Sequence, residues 1–231
     1  MIENSDFETF LYISKSKYQI FVYDKNNLKN LYNKEIENND EVELNILSKF
    51  LDDNIYKIEK MIKNFIRNII LIVEDDKVLD IGISFKKKNY EKNIDQKQLV
   101  TSLVEVKDIF KENYQDLIIM HMTIVEKENN FLLNNANSND DYLFLEVNFI
   151  CISNNFIFNF NKLLENHQIK IKRYMSGDYI KNFFDKESKE KMELFVIANK
   201  LNDGLNSNEV QLVPKGKENK GFFEKFFQLF S

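Results

Sequence analysis

Cysteine, proline, glycine and histidine are all scarce in this chain of 231 residues, and tryptophan is absent. The single cysteine, Cys151, excludes an intramolecular disulfide framework and fits a reducing compartment. Five glycines leave no phosphate-cradling loop: neither G-x-x-x-x-G-K-[ST] nor G-x-G-x-x-G occurs. No run of about eighteen apolar residues exists, so no spanning helix is expected. The opening residues, Met1 to Asp6, are acidic and lack the basic start and apolar stretch of a secretory signal. A net charge of −5 provides no broad basic footprint for nucleic acid. What is present is 43% hydrophobic and 30% charged residues, ordinary for a globular domain long enough to bury a sizeable core. The abundance of Asn, Lys, Ile and Phe reads as the imprint of an AT-rich genome. These features predict a cytoplasmic body whose membrane contact is peripheral.

Periodicity divides the chain into short elements. Phe10–Ser14 and Tyr18–Tyr23 are β-rich and read as a hairpin, and Leu28–Ile36 adds a third strand. Leu44, Leu47, Leu51, Ile55, Ile58, Ile62 and Phe65 recur at three- and four-residue steps, predicting a long amphipathic helix broken at Asn68. Ile69–Val73 then reads as a buried strand. Leu79–Phe85 alternates as a half-buried strand. Asp95 and Gln98 form a capping-box pattern ahead of a helix carrying Leu99, Leu103, Val106 and Phe110. Leu117–Val125 is another strand, and Asn129–Asn139 a polar loop. Tyr142–Ser153 is β-prone, Asn154 or Asn155 caps a helix, Ile169–Tyr174 is a strand, and Ser176 caps a further helix. Ser188–Leu201 looks helical, Val210–Val213 extended, and Pro214–Lys220 a charged linker.

Few residues suggest catalysis. His121 lies on a predicted strand opposite Met120 and Met122, without an acidic or thiol partner at metal-ligand spacing, and reads as structural. His167 falls at a helix end, where it complements the last carbonyls. Cys151 reads as core. Glu74, Asp75 and Asp76 form a carboxylate run at a strand end, which reads as a solvated turn rather than a cation site. Lys86, Lys87 and Lys88 read as a solvated strand end. No catalytic residue, cofactor or metal site is expected.

The last eleven residues differ. Phe222, Phe223, Phe226, Phe227 and Phe230 follow a helical stripe, with Leu229 beside them and Glu224, Lys225 and Gln228 opposite. Such a helix is roughly 16 Å long, too short to cross a hydrocarbon core of about 30 Å but able to lie in its interface. Lys215, Lys217, Lys220 and Lys225 outnumber Glu218 and Glu224, so an acidic chain ends in a basic patch suited to anionic lipid. Phe222, Phe223, Lys225, Phe226, Phe227, Leu229 and Phe230 are the expected membrane-binding residues.

Taken in order, these elements resemble the FtsA bacterial cell-division family, an actin-like group that tethers the division ring to the membrane. Phe10–Ile36 looks like the family's opening three strands. Val78 to about Asp141 sits where the family inserts a strand–helix–strand–strand subdomain. Val147–Ser153, Ile169–Tyr174 and Ser176–Tyr179 look like the return to the first subdomain, and Gly221–Ser231 looks like its membrane-targeting helix. Two departures stand out. The family's first phosphate motif pairs a carboxylate with a Gly-Thr, whereas Tyr12–Lys17 contains neither the carboxylate nor the glycine. The family's usual chain is also nearly twice as long, and its second half carries the other phosphate motif and the adenosine pocket.

The resemblance therefore implies an α/β fold: half of an actin-like fold, with residues 1–77 and 142–184 as its first subdomain and an α+β insertion at 78–141. A helical region at 185–213, a linker at 214–220 and an amphipathic helix at 221–231 follow. It implies a non-catalytic division adaptor on the cytoplasmic face of the inner membrane, at the division site. Its partners would be anionic lipid, other cell-division proteins and other copies of itself, with no nucleic acid. Two alternatives stand beside it: a divergent actin-like ATPase completed by a partner chain, and an actin-like scaffold of the pilus-assembly type.

Overall fold

The computed structural model describes residues 7–27, 29–38, 42–88, 96–125, 142–187 and 193–210. In chain order the elements are β1 (Phe7–Ser14), β2 (Lys17–Asp24), β3 (Lys29–Glu37), α1 (Leu44–Ile62), β4 (Asn68–Glu74), β5 (Leu79–Lys88), α2 (Gln96–Asn113), β6 (Leu117–Ile124), β7 (Tyr142–Ser153), α3 (Asn154–Asn166), β8 (Lys170–Ser176), α4 (Gly177–Glu187) and α5 (Leu194–Asn202). The fold is mixed α/β, as expected. It divides into two units: Met1–Val78 with Ile152–Asp203, and Leu79–Cys151 with Gly204–Ser231.

The first unit is built on a five-stranded sheet of order β3-β2-β1-β4-β8. β1, β2 and β3 pair antiparallel as a meander, and β1, β4 and β8 run parallel. Parallel neighbours need crossover helices. Here α1 precedes β4 and α3 precedes β8. Alternation along the strands sends Phe10, Tyr12, Phe21, Tyr23, Ile70, Ile72 and Met175 to one face, where they pack with Ile180, Phe195, Ile197, Ala198 and Leu201 from α4 and α5. Phe195 stacks on Phe21 with ring centroids 4.4 Å apart. Leu11, Ile13, Leu71 and Val73 are buried on the opposite face, the side taken by α1 and α3.

Helix α1 buries Leu47, Phe50, Leu51, Asn54, Ile55 and Ile58. It ends at Ile62, before the expected break at Asn68, because Lys63 adopts a left-handed conformation (φ 54°) and donates its N–H to the Glu59 carbonyl. Phe65, expected on the helical stripe, lies beyond the cap and is 72% exposed. Ser153, not Asn154 or Asn155, is the N-cap of α3, since Asn154 is already helical.

In the second unit the sheet order is β5-β7-β6. Helix α2 covers one face, bringing Leu99, Leu103, Val106 and Phe110 against Leu145, Val147, Phe149 and Cys151. Phe110 and Phe149 stack at 4.2 Å. Asn208 to Val210 run along β6: Ile124 N–H donates to the Asn208 carbonyl at 2.9 Å, and Val210 N–H to the Met122 carbonyl at 2.7 Å.

The boundaries between the units differ from those read in the sequence. β7 was expected to begin the return to the first subdomain at residue 142, but it pairs with β5 along ten residues, so the return comes at Ile152. The region expected at 185–213 is divided, because α5 covers the first sheet while Val210 joins the second core. Residues 214–231, expected as linker and amphipathic helix, lie outside the described residues. No helix among the described residues is long and apolar enough to cross a membrane.

Candidate functional site

Two places on the first unit carry functional geometry. The first is the edge where the parallel strands end. Ser14 of β1 lies in register with Glu74 of β4, and Val73 with Ser176 of β8. Open α/β sheets bind their ligands outside these carboxyl ends. Here the polar groups satisfy one another. The buried Ser14 hydroxyl closes the β1–β2 turn, accepting from Lys17 N–H at 3.0 Å and donating to the Lys17 carbonyl at 3.1 Å. Asn38 N–H donates to the Ser16 carbonyl at 2.7 Å. Glu74 Oε2 accepts from Tyr12 Oη–H at 2.6 Å and also pairs with Lys181 Nζ from α4. Burial first, then the hydrogen bond and charge of Glu74, hold the Tyr12 phenol protonated far above the usual tyrosine range. Ser176 Oγ caps α4 by accepting from Tyr179 N–H at 3.2 Å.

Gly177, the first residue of α4, makes room for Glu74. A Cβ at this position would stand 2.9 Å from Glu74 Cβ and 3.1 Å from Oε2. The Glu74 carboxylate thus lies over a helix N-terminus, where negative charge is favoured. Gly177→Ala is expected to displace Glu74 and cost about 1–3 kcal/mol by overpacking. Urea denaturation measures this, and a midpoint unchanged from wild type would contradict the packing.

Across the sheet edge, Lys15 Nζ pairs with Asp76 at 2.8 Å, which holds the Asp76 carboxyl below its ordinary range. Asp75 is buried and accepts from Lys77 N–H at 3.0 Å. These residues, with Phe156 and Phe160, line a cavity of about 510 Å³. The carboxylate run leaves β4 and turns, but with Asp75 buried it is not the solvated turn expected; no group of three or more metal-ligating side chains gathers among the described residues.

The second place is a groove of about 720 Å³ beside the C-terminal half of α1 and the starts of β4 and β8. Tyr56 and Phe65 line it, 70% and 72% exposed, and the buried Ile66 lies between Phe65 and β4. Asp52 and Glu59 come from the helix, and Arg67 and Lys170 from the strand side, so the groove carries both signs of charge. Two bonds shape it. Glu59 Oε1 accepts from Ile66 N–H at 3.0 Å, and His167 Nε2 lies 3.4 Å from Asp52 Oδ1. The His167 ring therefore faces a carboxylate rather than the last carbonyls of α3. Sequence reasoning missed this groove. The available signal was Tyr56, which falls off the Leu47-Leu51-Ile55-Ile58 stripe.

No family model matches this chain, and no curated protein matches it either. Solved structures do. The cytoplasmic domain of EpsL, an inner-membrane component of the type II secretion system of Vibrio cholerae, is 8% identical with a TM-score of 0.38, over 75% of this chain and 57% of that one. The PilM–PilN type IV pilus biogenesis complex is 7% identical with a TM-score of 0.49, over 76% and 49%. A Bacteroides thetaiotaomicron protein with an actin-like ATPase fold and unknown function is 14% identical with a TM-score of 0.34, over 79% and 58%. The chain thus spans about half to three-fifths of each structure it matches. The likeness is one of fold alone.

His121 is buried in the second unit with Nδ1 2.9 Å from Glu209 Oε1, a partner 88 residues away that sequence spacing did not reveal. Cys151 is core: burial first, then the charge of Asp80, push its thiol up to about 11. Lys87 pairs with Glu105 of α2 at 2.6 Å, and Lys86 lies over the Phe144 ring. The expected membrane-binding residues, Phe222, Phe223, Lys225, Phe226, Phe227, Leu229 and Phe230, lie outside the described residues.

Proposed function

We propose that this chain is a non-catalytic scaffold of actin-like construction that holds a protein partner within a membrane-associated assembly of the pilus or secretion kind. The observation that carries this reading is the α1 groove. Two large aromatic side chains stand mostly in solvent over a buried floor, in the company of opposite charges, which is the composition of a binding hot spot. The ligand class that fits is a short segment of a partner protein offering an apolar side chain flanked by one basic and one acidic residue. The closed strand edge supports the non-catalytic part, because Tyr12 and Lys181 direct their donors to Glu74.

A photoreactive amino acid in place of Phe65 is expected to cross-link one discrete partner in cells. The adduct should vanish with Tyr56→Ala, and should not form from the exposed Asp53 on the same helix. Adducts that are independent of Tyr56, or equally strong from position 53, would remove the groove from the reading. In parallel, a labelled ATP analogue with Mg²⁺ is expected not to bind. Saturable binding would overturn the non-catalytic assignment and favour a divergent ATPase completed by another chain.

A second reading, an FtsA-like cell-division adaptor on the inner membrane face, is favoured by one observation, the Phe222-to-Phe230 stripe in the sequence. Division proteins among the position-65 adducts would select it over the pilus or secretion kind.

A further inference from the structure

Strand β5 is a ten-residue edge strand, and it is unusually regular. Its register with β7 runs from Leu79↔Cys151 to Lys88↔Tyr142 without a bulge. It contains no proline, and among the described residues no backbone group bonds to its outer side. Sheet edges of this kind are templates for another strand unless something blunts them. By contrast β3, an outer strand of the first unit's sheet, is blunted: its register with β2 shifts at Val22/Tyr23.

The side chains of β5 indicate what pairs there. Ile81, Ile83 and Phe85 pack toward the α2 face, while Asp80, Gly82, Ser84, Lys86 and Lys88 are exposed on the other. A two-fold axis perpendicular to the sheet can join two copies of an antiparallel edge only when opposed residues share a face. Centring that axis on Ile83 sets Ile83 against itself and Ile81 against Phe85 of the second copy. On the opposite face Gly82 meets Ser84, and Asp80 meets Lys86, each twice by symmetry. From residue 80 to residue 86, every opposed pair is then apolar with apolar, small with small, or acid with base, the combinations that stabilise cross-strand neighbours. Parallel in-register stacking would instead place Lys86, Lys87 and Lys88 on their own copies, where like charges repel. The charge pattern therefore disfavours parallel pairing of the two edges and favours antiparallel pairing.

We infer that the chain forms a two-fold homodimer by antiparallel pairing of β5 with β5 of a second copy, in register about Ile83, making one continuous six-stranded sheet. This inference is independent of the partner groove on α1.

Sedimentation of the full chain over a wide concentration range tests it. Wild type is expected to show a monomer–dimer equilibrium. Lys86→Asp sets a second carboxylate against Asp80 at both ends of the pairing and should weaken the dimer by about tenfold or more. Asp80→Lys combined with Lys86→Asp restores opposite charges and should restore dimerisation. Register is read by Ile83→Cys, which should give a covalent dimer on mild oxidation, whereas Asp80→Cys should not, since residue 80 faces 86. Circular dichroism on each variant separates loss of pairing from loss of fold. A wild type that stays monomeric at every concentration would overturn the inference, whether the edge is covered by the chain itself or is simply unused. So would a Lys86→Asp dimer as tight as wild type, or equal cross-linking from positions 80 and 83.

Discussion

Glu209→Ala is expected to destabilise the second unit by about 2–5 kcal/mol and to release residues 208–210 from β6. The reason is where the carboxylate sits. Glu209 and His121 side chains are 3% and 0% exposed, and they meet at 2.9 Å. Thr123 and Glu209 form an antiparallel bridge, which puts Glu209 on the same face as Thr123 and hence as His121, two residues before it. Alanine removes the Glu209 carboxylate from the buried imidazole, and losing a hydrogen-bond partner inside a buried site is costly. Hydrogen exchange at Ile124 and Val210, whose amides bond across this seam, should accelerate together with a fall in the urea midpoint. Glu209→Gln keeps an acceptor and should lose less. His121→Leu with Glu209→Leu should recover much of the stability, since replacing both partners by apolar groups leaves neither polar group buried without the other. Unchanged exchange at Val210 in Glu209→Ala would mean that the pair does not hold the segment.

The second large effect concerns the tail. Phe222→Glu with Phe226→Glu is expected to reduce binding to anionic vesicles by about 100-fold. Burying a phenylalanine contributes about 1.5–3 kcal/mol in full and less at an interface, and each 1.4 kcal/mol is about tenfold in affinity. The two substitutions also place charges on the stripe formed by Phe223, Phe227 and Phe230 and cancel the basic excess of Lys215, Lys217, Lys220 and Lys225. Flotation with anionic and with neutral vesicles measures both contributions. Equal flotation of the double variant and the wild type would remove membrane attachment by these residues from any account of function.

Much of the architecture was legible because it rests on short-range periodicity. The stripe Leu47-Leu51-Ile55-Ile58 became the buried side of α1, and the continuous run Ile69–Val73 became a fully buried parallel strand. Ser176 did cap α4. Boundaries were less legible. The end of α1 depends on one backbone angle at Lys63, and nothing in the residue type announces it. The limits of the units were misplaced at β7, because a strand that leaves one sheet and leads into the next unit has the same alternation on both sides of the boundary.

Local pattern by itself determined which segments are helices and strands and that Cys151 is core, since side-chain period and apolarity suffice for each. Tertiary structure alone decided what those segments do to one another. It brought Tyr12, Glu74, Gly177 and Lys181 together into a closed strand edge, and paired His121 with Glu209. It also set Tyr56 and Phe65 along one groove with Ile66 and left β5 as a regular outer edge. The physical reason is common to the strand edge, the His121–Glu209 pair and the outer position of β5. Each depends on the order and direction in which strands pair, and pairing joins residues too distant in the chain for any local period to record.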